Sequence, residues 1–248
     1  MNLLICETST LLGSVAILRK DGQIFYQESM RQGSHSDTLN IFIQKCLNDS
    51  QLQLSDIDVF VTGLGPGSFT GIRIALNTIK TLAYIYNKPV VGINSLNTLA
   101  MQAYNHIRND SSTSPMTCPH ITTMINAYKN MVYLAQFKIE NSELKTIQEP
   151  QVVRVQNLGT YLTAQTFVVG DGYKDYQNYL DQNFSQFILR PDTLTASNLD
   201  FPTARIMAEI SSKKIINSEF SKWHDVFPQY LRASEAEENM LGIKYLPL

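Results

Sequence analysis

The chain has 248 residues, of which 44% are hydrophobic, and a formal net charge of -2. This length and composition predict one large or two small globular domains, and the charge gives no basic footprint for nucleic acid. The N-terminus lacks the features of a secretory leader, and the cysteines at 6, 46 and 118 have neither metal-binding nor disulfide spacing. We therefore expect a soluble, cytoplasmic protein.

The first segment of the chain predicts three antiparallel strands followed by a helix. The strands are Leu3 to Thr8, Ser14 to Arg19 and Gln23 to Met30, with a strong hairpin signal at Asp21-Gly22. Apolar residues then recur at helical spacing from a cap at Ser36 or Asp37 to about Asp49. The spacing indicates an amphipathic helix with one apolar side.

A glycine-rich stretch, GPGSFTGIR from Gly65 to Arg73, follows the next predicted strand, Ile57 to Thr62. Glycine lets the chain turn tightly after a strand, and Ser68 can cap the helix that begins near Gly71. This helix, Ile72 to Tyr86, is apolar on nearly all sides, so it must be covered by more than the sheet. A second helix or a partner protein is expected on its other side.

The same stretch raises the question of an anion site, because free amides and the helix dipole converge at a helix start. It is not a P-loop, since Ile72 and Arg73 follow its last glycine, where Lys and then Ser or Thr are required. A tight turn that only seats the helix is equally compatible with the residues. The weak candidates for nucleotide or anion binding are Glu7, Gly65, Gly67, Ser68 and, in a later GDG turn, Asp171.

The remaining elements predict two similar α/β halves. A strand at Pro89 to Ile93 and a helix capped by Ser95 complete a βββαβαβα order, the half-unit of ribonuclease-H-like or actin-like folds. Past a polar linker, 108–119, the order partly repeats. The elements predicted there are the strands Ile121 to Ala127, Met131 to Ile139, Gln151 to Val155 and Thr166 to Val169, and the helices Tyr173 to Leu180 and Pro202 to Ser212.

The predicted architecture is therefore an α/β chain of two ribonuclease-H-like or actin-like lobes, each with a mixed five-stranded sheet. The lobes are 1–107 and 120–248, joined by the linker, and the second lobe is expected to be less regular. Its C-terminal segment is expected to be able to pack back on the first lobe.

Several short motifs occur in the order found in the bacterial TsaB family, also called YeaZ, which the chain resembles over nearly its whole length. These are ETST at Glu7 to Thr10, HSD at His35 to Asp37, GPGSFTGIR, PVVGINSL at Pro89 to Leu96, INAYKNMVYLAQF at Ile125 to Phe137, GDG at Gly170 to Gly172 and PQYLR at Pro228 to Arg232. The resemblance implies a fold of the acetate kinase, Hsp70 and actin superfamily. It also implies a role in tRNA threonylcarbamoyladenosine biosynthesis.

In that role the chain would be a partner of the catalytic paralogue TsaD, with TsaE as a third component. TsaD transfers the threonylcarbamoyl group to an adenosine beside the anticodon of tRNA. The resemblance implies a heterodimer with TsaD, contact with tRNA only through the complex, and a homodimer when the chain is alone. No cofactor is expected for the chain itself. Whether a nucleotide binds at the interface with TsaE is a question that the sequence leaves open.

The residues also indicate that the chain lacks the catalytic equipment of its relatives. The resemblance places Ser95 and Leu99 where TsaD has a metal-binding HxxxH pair, and neither side chain can replace an imidazole. The four histidines, at 35, 106, 120 and 224, never stand three or four apart, so a helical metal pair is excluded. Glu7 stands where the superfamily usually has Asp, and no Gly-Gly pair occurs. These features favour a non-catalytic scaffold without metal over the alternative, an autonomous ATP-dependent phosphotransferase of the actin-like superfamily.

The scaffold hypothesis places the partner on the two long helices of the first lobe, Asp37 to Asp49 and Ile72 to Tyr86. Some of their apolar residues must face the sheet, and periodicity does not tell which. The predicted contact residues are Leu39, Ile43, Ile72, Arg73, Leu76, Ile79 and Tyr84.

Overall fold

The computed structural model describes residues 1–30, 35–109, 120–190, 198–233 and 235–242, without the side chains of 35, 36, 198, 235 and 236. Residue contacts divide the chain into two compact units. Unit 1 comprises Met1–Thr98 and Pro202–Gln229, and unit 2 comprises Leu99–Phe201 and Tyr230–Leu248. These bounds differ from the predicted lobes, because each unit combines two separate segments of the chain. The predicted linker lies, beyond its first two residues, outside the described residues.

The elements are numbered in chain order. The strands are β1 (Leu3–Glu7), β2 (Leu12–Leu18), β3 (Ile24–Met30), β4 (Val59–Gly65), β5 (Val90–Asn94), β6 (His120–Asn126), β7 (Met131–Glu140), β8 (Glu143–Arg154), β9 (Thr166–Val169) and β10 (Ile188–Leu189). The helices are α1 (His35–Ser50), α2 (Phe69–Tyr86), α3 (Ser95–Asn109), α4 (Asp171–Asp175), α5 (Gln177–Phe184), α6 (Ala204–Ile216) and α7 (Glu235–Met240). In the described part of the chain, no helix is both long enough and apolar enough to cross a membrane.

Unit 1 is built on a mixed sheet in the order β3-β2-β1-β4-β5. The first three strands form antiparallel pairs, while β4 joins β1 and β5 joins β4 in parallel through the crossover helices α1 and α2. Parallel neighbours need such crossovers, which place helices on the faces of the sheet.

The two faces of this sheet bury different side chains because successive residues of a strand point in opposite directions. On one face, Leu4 and Cys6 of β1 join a core cluster with residues of α1 and α2. On the other face, Leu3 and Ile5 join a cluster with Ala204, Met207 and Ala208 of α6. Helix α6, from the distant second segment, therefore completes the three layers of unit 1.

Unit 2 repeats the topology, with the order β8-β7-β6-β9-β10. Its first three strands are again antiparallel, and its last two join in parallel. The β7–β8 pairing carries register shifts, and β10 has only two residues. The predicted fold class is confirmed, including the less regular second half.

Some element bounds differ from the predictions for local reasons. Strand β8 begins at Glu143, eight residues before the predicted strand. The prediction missed this first part because it is polar and largely exposed and lacks the alternation of apolar and polar residues that indicates a strand. The helix predicted from Tyr173 to Leu180 is divided into α4 and α5 at Tyr176, whose backbone leaves the helical region at φ -112° and ψ 19°.

Candidate functional site

The carboxylate of Glu7 lies at the end of β1, where the strands of unit 1 meet the helix starts. Its Oε1 accepts a hydrogen bond from the backbone N–H of Ser9 at 2.6 Å, and its Oε2 accepts from Ser95 Oγ at 3.1 Å. Ser9 Oγ donates to Ser95 Oγ at 3.0 Å. Burial raises the pKa of Glu7 above its ordinary value of 4.5, against the opposing hydrogen bonds from Ser9 and Ser95. The carboxyl group is thus held by protein donors inside unit 1.

Gly63 supplies the space that this carboxyl group occupies. A Cβ added at Gly63 would lie 2.2 Å from Glu7 Oε2, well inside van der Waals contact. The longer side chain of Glu, relative to Asp, therefore requires a glycine on the neighbouring strand β4. The sequence analysis missed this pairing, because nothing local connects two residues on adjacent strands.

The glycine-rich turn packs directly on the chain after β1. The N–H of Ser68 donates to Ser9 O at 2.7 Å, and the N–H of Gly71 donates to Ser68 Oγ at 3.2 Å. A Cβ at Gly67 would lie 2.2 Å from Ser9 O, and one at Gly71 would lie 2.0 Å from Thr8 O. The amides of Ser68 and Gly71 are therefore directed at protein oxygens, an arrangement typical of a turn that seats a helix.

The outer face of α1 and α2 carries a shallow groove of about 380 Å³. The side chains that line it are Leu39, Asn40, Thr70, Arg73, Ile74, Asn77 and Thr78. Two isoleucines on these helices, Ile41 and Ile85, are mostly exposed. We call this surface, defined by the groove with Ile41 and Ile85, the α1–α2 face. Both isoleucines lie on the helices that form the groove, without lining it.

The structure corrects most of the predicted contact residues. The five apolar side chains Leu39, Ile43, Ile72, Leu76 and Ile79 are at most 6% exposed, because they pack within unit 1. Four of them belong to the core cluster under α1 and α2, and Ile72 lies against Gly65.

Two of the predicted contact residues are exposed. Arg73 lines the groove, with its guanidinium carbon 5.9 Å from the centre of the Phe69 ring. Tyr84 lies nearer the C-terminal end of α2, in edge contact with Trp223. The signal that the sequence analysis missed was the helical spacing of Thr70, Ile74, Asn77 and Ile85, where polar residues interrupt the apolar pattern.

Asp171 belongs to unit 2, whereas Glu7, Gly65, Gly67 and Ser68 belong to unit 1. Its Oδ1 accepts from the N–H of Asn126 at 2.9 Å. The pKa of Asp171 is raised to about 7, mainly by burial and further by the charges of Asp175 and Asp200, against the lowering effect of the Asn126 hydrogen bond. Asp200 in turn accepts from the N–H of Gly170 at 3.0 Å and binds Arg190 at 2.5 Å.

These contacts make the GDG turn a hydrogen-bonded corner of unit 2. Among the described residues, no three His, Cys, Asp or Glu side chains are grouped as a metal site. The side chains of His35 and Ser36 in the HSD motif lie outside the described residues.

Comparisons with known proteins agree with the motifs. The family model of TsaD, a tRNA N6-adenosine threonylcarbamoyltransferase, matches residues 29–240. The chain is 26% identical to the tRNA threonylcarbamoyladenosine biosynthesis protein TsaB of Escherichia coli (strain K12), over 98% of this chain and 99% of that protein. It is 25% identical to TsaB of Haemophilus influenzae over 94% of both chains. The structure of YeaZ from Pseudomonas aeruginosa matches with a TM-score of 0.75 at 23% identity, covering 93% of this chain and 99% of that one, and has the same fold.

Proposed function

The chain belongs to the family of TsaD, the tRNA N6-adenosine threonylcarbamoyltransferases, and from this premise we propose that it acts in tRNA threonylcarbamoyladenosine biosynthesis as a non-catalytic subunit. Its similarity to proteins named TsaB over nearly the full chain supports the pathway. The proposed partner is TsaD, with TsaE as a further component of the complex.

The observation that carries the proposal is the α1–α2 face. It combines a groove, lined in part by Arg73, with exposed apolar side chains on the same two helices. Interfaces of this kind bury aromatic, aliphatic and Arg side chains at their centre. In the absence of TsaD, the same face would pair two copies of the chain as an isologous homodimer.

The filled strand ends of unit 1 support a non-catalytic role. The Glu7 carboxyl group occupies the space beside Gly63, and the turn amides of Ser68 and Gly71 donate to protein oxygens. An ATP-dependent phosphotransferase would need open donors for phosphate at such a position. This geometry also supports the proposal that the isolated chain needs no cofactor.

The first prediction concerns the α1–α2 face. We expect Ile85→Asp to weaken association with TsaD by roughly tenfold or more, because it places a charge in an apolar contact. The matched control is Ile216→Asp, since Ile216 is also an exposed isoleucine near a helix end, 81% exposed against 62% for Ile85, but lies on α6. Light scattering coupled to size-exclusion chromatography of each variant mixed with TsaD measures the effect.

The outcome is decided by comparing the two variants. If both variants lose binding to TsaD equally, or if neither variant loses it, the α1–α2 face is not the docking surface. A tRNA modification assay with TsaD and TsaE then tests the function itself, since the proposal requires activity to depend on this chain. Tight binding and turnover of ATP by the isolated chain with magnesium would instead support the phosphotransferase.

A further inference from the structure

Unit 1 exposes a group of aromatic rings near the C-terminal end of α2. Tyr84 and Phe227 are mostly exposed, and Trp223 is 38% exposed although it is the single tryptophan of the chain. The ring centres of Tyr84 and Trp223 lie 5.2 Å apart in an edge-to-face arrangement. We call these three residues together with Lys88 and Lys222 the Trp223 patch.

The Trp223 patch is held firmly on the edge of the sheet. Ser221 and Val90 exchange two backbone hydrogen bonds of 2.9 Å, which extends the sheet beyond β5 by one bridge. Lys80 of α2 donates to Val226 O at 3.0 Å, and its ammonium lies 5.5 Å from the centre of the Phe227 ring. The segment is therefore positioned by both the sheet and α2.

A pocket of about 410 Å³ opens at this position, within the size range of small-ligand sites. Its walls include Lys88, Lys222, Trp223 and His224. The surrounding surface holds the lysines 80, 88, 214 and 222 and the carboxylates of Glu219 and Asp225.

One of the two carboxylates already has a cationic partner, and the other lies beside a histidine. Glu219 pairs with Lys214 at 2.6 Å, and Asp225 Oδ2 lies 3.5 Å from His224 Nε2. Among the described residues, Lys88 and Lys222 form no ion pair. The pocket is thus locally cationic in a chain whose net charge is -2.

The pairing of exposed aromatic rings with lysines distinguishes between classes of partner. Interfaces with proteins are rich in aromatic residues but depleted in Lys. Surfaces that bind single-stranded nucleic acid combine both, because bases stack on aromatic rings while Lys neutralises phosphates. We propose that the Trp223 patch binds single-stranded RNA, with a base stacked on Trp223 and phosphates beside Lys88 and Lys222.

This inference goes beyond assembly with TsaD, since it gives the chain its own contact with RNA. It is tested on the full chain with a short, unstructured oligouridylate RNA. Because Trp223 is the only tryptophan, its fluorescence reports on this site alone. We expect the RNA to quench this fluorescence, and the affinity to fall as the salt concentration rises.

Variants separate the lysines from the ring. In fluorescence anisotropy with labelled RNA, the double variant Lys88→Ala, Lys222→Ala should reduce the slope of log affinity against log salt by roughly 1.4, at about 0.7 per phosphate contact. Trp223→Leu should weaken binding about 5- to 150-fold through loss of stacking. The control is Lys20→Ala, an exposed lysine between β2 and β3, since β3 and β5 are opposite edges of the sheet.

The inference is overturned if RNA leaves Trp223 fluorescence unchanged, or if Lys20→Ala has the same effect as the double variant. It is also overturned if TsaD, and not RNA, quenches Trp223, because the patch is then a protein interface. Thermal unfolding of each variant shows that the fold is kept.

Light scattering with TsaD on the same variants keeps the two proposals apart. In these variants, loss of RNA binding with intact assembly supports this inference and leaves the proposed function standing. If the unaltered chain assembles with TsaD but binds no RNA, this inference alone is overturned. If it binds RNA but does not assemble with TsaD, the proposed function alone is contradicted.

Discussion

At the scale of single residues, the fit of Glu7 against Gly63 is the most specific feature of unit 1. Glu7 has one methylene more than Asp would have, and Gly63 has no side chain in the space that the Glu7 carboxyl group occupies. The sequence analysis identified Glu7 as unusual, but it did not predict Ser9, Ser95 and Gly63 as its neighbours. These contacts span up to 88 positions, so they depend on strand order rather than on local pattern.

The complementarity of the two residues predicts a rescue. We expect Gly63→Ala to destabilise the protein by about 1–3 kcal/mol, because the new methyl group overlaps the Glu7 carboxyl group. Adding Glu7→Asp should recover part of this loss, since the shorter side chain withdraws from the methyl group. Urea unfolding of the two single variants and the double variant measures the coupling. Simple additivity of the two changes would contradict the proposed fit.

Burial of Glu7 also predicts a pH dependence of stability. Its pKa is raised in the folded state above 4.5, so folded protein retains a proton that the unfolded chain releases as the pH rises. The free energy of unfolding of the wild type should therefore decrease above about pH 4.5 and level off above the folded pKa. Glu7→Gln lacks this ionisation and keeps an acceptor for the Ser9 N–H.

The variant should accordingly gain stability relative to the wild type as the pH increases. Urea midpoints of both proteins at pH 5 and pH 8 measure the difference. A difference that stays constant between these values would show that Glu7 titrates alike in the folded and unfolded states.

At the scale of elements, helix α2 shows where sequence patterns suffice and where they do not. Its end at Tyr86 was predicted correctly, and the structure shows how it ends: Asn87 follows in the left-handed conformation at φ 50°. Its inner and outer faces were not separated, because isoleucine occurs on both: Ile79 is buried and Ile85 is exposed. The periodicity of apolar residues along a helix cannot by itself distinguish a side that packs on the sheet from an apolar side that stays exposed.

At the scale of the whole molecule, the repeated sheet topology followed from the order of the predicted strands, since few connections satisfy the crossover rules. The order of the predicted strands did not show which segments of the chain make up each unit. The helix predicted from Pro202 to Ser212 is present as α6, but its place on the sheet of unit 1 is not encoded locally.

The split of unit 1 into two segments predicts how fragments behave. The fragment 1–107 should fail to fold cooperatively, because it leaves the sheet face of Leu3 and Ile5 without α6. A single chain that links 1–98 to 202–229 should regain a cooperative transition. Near-ultraviolet circular dichroism during thermal unfolding distinguishes the two. Cooperative unfolding of 1–107 alone would contradict the need for the second segment.

The same split has a consequence for synthesis on the ribosome. The five strands of unit 1 leave the exit tunnel early, whereas α6 follows after about a hundred more residues. At a translation rate of roughly 5–20 residues per second, one hydrophobic face of the nascent sheet stays exposed for about 5–20 s. During that interval the chain is a natural client for chaperones that shield nascent polypeptides, and slow translation of its middle third would prolong the exposure.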